Sequence, residues 1–179
     1  TFSRLGQHLA HPSQGALAAL KQAIRYISGT TDARLSAPLD LSANTFTFYS
    51  DSDHAANSEA QNRRRSQSGW IGLINGVPFT WKSTTQSITA VSSAEAEIYA
   101  ASTATQHFMQ MRFIAEELGL TGFPKPFTLY VDNAAAQVFM ENTNSRSRLK
   151  HIDCRQQWVK DMRNYEFVVP CHIPTKDNL

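Results

Sequence analysis

Little in this chain is available for cross-linking. It has two cysteines, Cys154 and Cys171. Their spacing fits no metal or redox motif, so they read as reduced thiols of an intracellular protein. There is no cluster of His and Cys of the kind zinc requires. No apolar run approaches the length of a membrane-spanning helix, and the N-terminus lacks the pattern of a signal peptide, so no membrane partner is expected. Internal repeats and low-complexity segments are missing as well. So is a strong charge of either sign. Seventeen Lys and Arg face fifteen Asp and Glu, a net charge of +2. That balance permits a nucleic-acid partner without arguing for one. What remains is an ordinary globular composition, 41% hydrophobic and 18% charged over 179 residues. It suits one domain with a sizeable core plus an appendage. The chain opens on Thr1 rather than Met, which reads as a piece of something longer.

The pattern of elements divides the chain at about residue 44. In residues 1–44, Ser13 after Pro12 opens a helix with Leu17, Leu20, Ile24 and Ile27 on one face. Gly29 is expected to close it. One amphipathic helix cannot bury its own face, so it must dock on something. Residues 45–179 carry the second unit. TFTFYS (45–50) alternates like a strand, and two further strands flank Asn75-Gly76, a strong hairpin signal. Trp81, alternating with Phe79, reads as core or half-buried packing. A long helix follows from about residue 94 to Leu118 and stops at Gly119. Ser92 and Glu95 form a capping box at its start, and Ile98, Ala101, Thr105 and Phe108 mark its apolar face. FTLYV (127–131) is a short apolar strand, residues 134–140 a helix, and Asp153 can cap another helix carrying Trp158, Val159 and Met162. Residues 165–171 form a last strand. Strands joined by short connections pair antiparallel, and strands separated by helices pair parallel through right-handed crossovers. The expected fold is therefore a mixed-sheet α/β domain with three antiparallel strands, then two parallel ones, flanked by helices.

Three carboxylates stand out. Asp51 and Asp132 each follow a β-like run, and Glu97 falls in what reads as the first turn of the long helix. Singly, each has a plain explanation: Glu97 a partner for the helix dipole, Asp132 a helix cap, Asp51 the opening of a turn. Together they invite another. In open α/β sheets, chemistry collects at the carboxyl ends of parallel strands. Acids brought together there repel, and a divalent cation removes the conflict. Hard oxygen ligands select Mg²⁺ or Mn²⁺. Three carboxylates around one or two such ions suit phosphodiester hydrolysis. The runs Arg63-Arg64-Arg65 and Arg146–Lys150 offer phosphate contacts, or are simply solvated surface.

These residues carry a resemblance. YSDSDHAAN (49–57), RRRSQSGW (63–70), TWKSTTQ (80–86), VSSAEAEIYAA (91–101), LYVDNAAA (129–136), RLKHID (148–153) and IPTKDNL (173–179) occur in this order. Together they resemble the ribonuclease H domain of copia-type LTR retrotransposon Pol polyproteins. ALKQAIRYISGT (19–30) is similar to the segment that joins reverse transcriptase to ribonuclease H in them. The resemblance implies a ribonuclease H fold that cuts the RNA strand of RNA–DNA hybrids during reverse transcription. It implies Mg²⁺ (or Mn²⁺), two ions with substrate bound, held by Asp51, Glu97 and Asp132. Ser92 and Ser93 would meet RNA 2′-hydroxyls. Asn57, Arg63, Arg64, Arg65, Asn133, Arg148, Lys150 and His151 would line the hybrid. The implied partners are the hybrid and the reverse transcriptase domain of the same polyprotein, in a cytoplasmic virus-like particle. The chain departs from the family pattern at Asp53-His54, where the family has Asp-Trp, and at Arg146 and Leu149. The family's fourth metal-site Asp falls just past Leu179, and Asp177 sits too early in the motif to replace it. Weak turnover is the corresponding expectation.

Two rival readings remain. One is a nonenzymatic ribonuclease H-like module, kept as a nucleic-acid-binding or scaffold piece of a polyprotein. Clustered acids near phosphates argue against a pure binder. The other is an integrase-type nuclease, disfavoured by the SSAEAE helix start and the TWKS strand.

Overall fold

The computed structural model describes residues 2–36, 45–55, 64–119, 125–142 and 154–179. The chain divides into two compact units, 1–36 and 37–179. No helix among the described residues is long and apolar enough to cross a membrane.

The first unit holds α1 (Phe2–Gly6) and α2 (Gln14–Gly29). Ser13 caps α2, its Oγ accepting from the Ala16 N–H, as a serine does when it satisfies a helix's free first-turn donors. Gly29 is the last helical residue rather than the residue beyond the end. Thr30 takes the cap, its Oγ1 bonding the Tyr26 carbonyl at 2.8 Å.

The second unit is built on a five-stranded sheet in the order β3-β2-β1-β4-β5. Its strands are β1 (Phe46–Asp53), β2 (Gln67–Ile74), β3 (Val77–Thr85), β4 (Phe127–Val131) and β5 (Val168–His172). β1–β2 and β2–β3 are antiparallel, β1–β4 and β4–β5 parallel. This is the expected mixed sheet. The hairpin turns at Asn75 and Gly76, both at positive φ, the backbone form an Asn-Gly pair adopts most readily. The last strand begins at Val168, three residues later than its composition suggests. Tyr165 and Glu166 are spent on the turn that leaves the preceding helix, with Glu166 at positive φ.

Helix α3 (Ser93–Glu117), with α4 (Ala134–Glu141) and α5 (Cys154–Asn164), completes the unit. Ile98, Ala101, Thr105 and Phe108 are all buried, as their spacing predicts. Phe48 is the centre of the core. Its ring meets Trp70, Phe79, Phe108 and Phe127 at centroid distances of 5.3–6.2 Å, within the range aromatic pairs favour.

Trp81 is a correction. It is 64% exposed, whereas Phe79 packs on Phe46 and Phe48. A bulge explains the difference. Pro78 pairs with Leu73 but Thr80 with Gly72, which leaves Phe79 as an extra residue. One added residue reverses the alternation of faces beyond it.

Candidate active site

β1 and β4 lie side by side and run parallel, so their carboxyl ends share one edge of the sheet. Asp51 is carried by β1 and Asp132 stands immediately after β4. The strand containing Asp51 is longer than its sequence pattern indicates. Asp51 is not a residue after the strand but one of its paired members, opposite Gly69. Asp132 is freed from capping by its neighbour. Asn133 is the N-cap of α4, its Oδ1 accepting from the Ala136 N–H at 3.0 Å.

Glu97 arrives from α3. The helix start is built as expected, with the Glu95 N–H donating to Ser92 Oγ at 3.1 Å. The Glu95 carboxylate accepts from the Val91 N–H, one residue before the cap, at 2.7 Å. This start places Glu97 in the second turn rather than the first, beyond the best reach of the helix dipole. Nor does it lie on a solvated flank: it is 4% exposed. A dipole partner would sit at the exposed end, so that explanation fails for Glu97.

Carboxylate oxygens of Asp51, Glu97 and Asp132 lie within 4.8 Å of one another. The sequence reading named these three, and the fold brings them together. Glu97 Oε1 accepts from both the N–H and the hydroxyl of Ser52, each at 2.8 Å. Its Oε2 is buried and has no hydrogen-bond partner among the described residues. Burial pushes the Glu97 carboxyl up from 4.5 to about 7, against the Ser52 hydrogen bonds and with help from the nearby Asp51. Asp51 is raised as well, first by burial and then by the charge of Asp132. Such a cluster is electrostatically short of a cation.

The donor set fits a hard divalent ion. All three donors are carboxylate oxygens, and one of the three carboxylates, that of Glu97, keeps a buried oxygen with no hydrogen-bond partner among the described residues. Two oxygens on one Mg²⁺ sit up to about 4.2 Å apart, so closing the 4.8 Å cluster takes only small side-chain movements.

Chain segments at this edge are tied down behind the acids. The His172 ring Nε2 meets the Asp132 carbonyl at 3.2 Å, and the Ile173 N–H donates to the Val131 carbonyl at 3.0 Å. Asn178 reaches the Ser50 carbonyl at a long 3.5 Å. Sequence reasoning overlooked Ser52 and His172. The signal for Ser52 was its parity: Phe46, Phe48 and Ser50 are buried, and Ser52 continues that face of β1 toward α3. Asp177 lies in a short 3₁₀ turn outside the acidic cluster.

The expected substrate residues fall into two sets. Ser92 and Ser93 are exposed at the start of α3, with Ser92 Oγ engaged in the cap. Asn133 spends its Oδ1 on α4. Arg64 is exposed at positive φ just before β2, and Arg65 beside it is half-buried. Asn57, Arg63, Arg148, Lys150 and His151, with the helix cap expected at Asp153, lie outside the described residues.

Comparison with known proteins points one way. No family model matches the chain. It is 29% identical over 178 residues to the retrovirus-related Pol polyprotein of transposon TNT 1-94 from Nicotiana tabacum, covering 97% of this chain and 13% of that polyprotein. It is 28% identical over 185 residues to the Ty1-JR2 Gag-Pol polyprotein of Saccharomyces cerevisiae, covering 99% of this chain and 10% of the polyprotein. The chain thus spans a small part of the relatives it matches. Among solved structures, LC11-RNase H1, determined with an RNA/DNA hybrid, superposes with a TM-score of 0.54 at 13% identity, over 75% of this chain and 88% of that one. A foamy viral protease-reverse transcriptase, also determined with an RNA/DNA hybrid, gives 0.51 at 15% identity, over 79% of this chain and 19% of that one. The homologues of this chain are retrotransposon Pol polyproteins and its fold is that of ribonuclease H, as the ribonuclease H domain of a Pol polyprotein requires.

Proposed function

We propose that the chain is a metal-dependent endoribonuclease that hydrolyses the RNA strand of RNA–DNA hybrids during retrotransposon reverse transcription. The observation that carries this reading is the convergence of Asp51, Glu97 and Asp132, one of which keeps a buried carboxylate oxygen with no hydrogen-bond partner among the described residues. Neither packing nor solubility calls for three acids at one strand edge, and two of them are held above their ordinary pKa.

In this reading Asp51, Glu97 and Asp132 hold Mg²⁺ or Mn²⁺. When bound, such ions lower the pKa of water to make a nucleophile and stabilise the departing oxygen. The remaining work belongs to the chain. Asp51 is carried on a strand, Glu97 on a helix, and Asp132 directly follows a strand; these rigid elements keep the carboxylates in place. Ser93, and Ser92 through its backbone and hydroxyl, face the ribose 2′-hydroxyls that distinguish RNA from DNA. Arg64 and Arg65, with Arg63, Arg148, Lys150 and His151, take phosphates, which sets affinity without reading sequence. A-form-like duplexes suit this, since they are recognised by shape and 2′-hydroxyl contacts. A reverse transcriptase domain in the same polyprotein would supply the hybrid, and a cytoplasmic virus-like particle would enclose both.

The test is cleavage of a hybrid labelled on its RNA strand, with Mg²⁺, with Mn²⁺ and with EDTA. RNA fragments that appear with metal and vanish with EDTA or with Asp132→Asn are expected. Hybrid binding without cleavage, in a folded protein that takes up no metal, would leave a nonenzymatic nucleic-acid-binding module instead.

A further inference from the structure

We propose that Ser52 is a positioning residue that decides which oxygen of Glu97 is offered to the metal. The inference rests on the metal-dependent reading above and adds a residue to it.

Ser52 gives Glu97 two hydrogen bonds, from its N–H and from its hydroxyl, each 2.8 Å long. Both end on Oε1. Oε2 receives none among the described residues, although it is buried. This asymmetry matters because the terminal torsion of a glutamate is broad and nearly two-fold. Left alone, the carboxyl group can present either oxygen, or neither squarely. Two donors from one residue onto one oxygen remove that freedom. Oε2 is then the oxygen left without a donor among the described residues, on a carboxylate that reaches within 4.8 Å of those of Asp51 and Asp132.

The link also sets a distance between elements. The donating N–H belongs to the peptide bond that joins Asp51 to Ser52. Glu97 is therefore tied, across 45 residues of sequence, to the peptide group of another acid in the cluster. A strand end and the second turn of α3 are held at one separation by one residue. Groups that hold a metal ligand in orientation from behind are commonly worth 10–100-fold in metal affinity. Here the backbone N–H survives any side-chain substitution, so the hydroxyl's share lies near the lower end.

A merely structural role makes a different forecast. If Ser52 only satisfies a buried acid, its removal lowers stability and leaves metal binding alone. The experiment measures Mn²⁺ binding by the paramagnetic resonance signal of the free ion, with unfolding in EDTA followed in parallel. It compares the parent with Ser52→Ala, Ser52→Thr and Ser52→Cys. We expect Ser52→Ala to keep its fold and to need about tenfold more Mn²⁺ for half-saturation. Ser52→Thr, which keeps the hydroxyl, should return to within about twofold of the parent. Ser52→Cys keeps the shape with a weak donor and should fall between them; it carries the comparison if the alanine variant does not fold. Mn²⁺ binding by folded Ser52→Ala, or by Ser52→Cys in its place, equal to that of the parent would overturn the proposal while leaving the metal centre standing. A parent protein that binds no Mn²⁺ would overturn both.

Discussion

At the scale of single residues, Glu97 carries the largest electrostatic strain in the site. Its carboxyl is raised from 4.5 to about 7, chiefly by burial. This makes a forecast for the metal-free protein. Below pH 4.5 the group is protonated whether the chain is folded or not. Between 4.5 and 7 the unfolded chain releases the proton and the folded chain keeps it, so stability falls as pH rises. Above 7 the group is ionised in both states and the loss is complete, about 3 kcal/mol for a shift of this size. Asp51 is shifted in the same direction and adds to the slope. Urea unfolding in EDTA across this range should show the decline, and Glu97→Gln should flatten most of it. The same variant should lose Mn²⁺ binding, because an amide oxygen replaces an anionic ligand. A pH-independent stability in the parent would show that Glu97 ionises at its ordinary value.

At the scale of elements, two contacts fix how the strands meet. Gly72 faces Phe48 so closely that an added Cβ would lie 2.6 Å from Cζ and 2.8 Å from Cε1 of its ring, and 2.9 Å from Thr80 Cγ2. The Phe48 ring is fully buried among four other aromatic rings and has nowhere to move. Gly72→Ala should therefore cost about 1–3 kcal/mol or more in unfolding experiments. The second contact is the His172 ring on the Asp132 carbonyl. It links the end of β5 to the residue that leaves β4. His172→Ala should cost about 1 kcal/mol, the usual worth of one such hydrogen bond, and unfolding in urea would measure it. A negligible change would mean that water replaces the ring without loss.

At the scale of the whole molecule, binding of the metal and of the hybrid should both appear as linkage. Mn²⁺ at a hundred times its dissociation constant should stabilise the folded state by about 2.7 kcal/mol. EDTA should reverse the effect, and Asp132→Asn should abolish it. An unchanged unfolding midpoint with Mn²⁺ would count against the acid cluster as a metal centre. For the hybrid, a net charge of only +2 means that the grip depends on local cations. Arg64, exposed just before β2, is one such cation among the described residues. Arg64→Ala should weaken hybrid binding equally for all sequences and reduce the salt slope by about one phosphate contact. Binding that is unchanged at low salt would make Arg64 an ordinary surface charge.

Much of this was legible in the chain itself, because it depends on local chemistry. The Asn75-Gly76 turn, the Ser92 cap, the Gly119 stop at positive φ and the apolar stripe through Phe108 are decided by neighbours a few residues apart. So is the order of strands and helices, from which parallel and antiparallel pairing followed. The three acids could be named from their positions at element ends and from the motifs around them. Tertiary structure alone decided what depends on distant partners. A bulge between β2 and β3 turned Trp81 outward, because alternation within a strand does not reveal an extra residue in its pairing. Pairing with β2 carried β1 through Asp51 to Asp53, although the sequence pattern ends at Ser50. The burial of Glu97 and the two hydrogen bonds it accepts from Ser52 required α3 to settle against the end of β1. A carboxylate's burial and the donors it meets are set by residues far away in sequence, and these make one glutamate among many strained enough to want a cation.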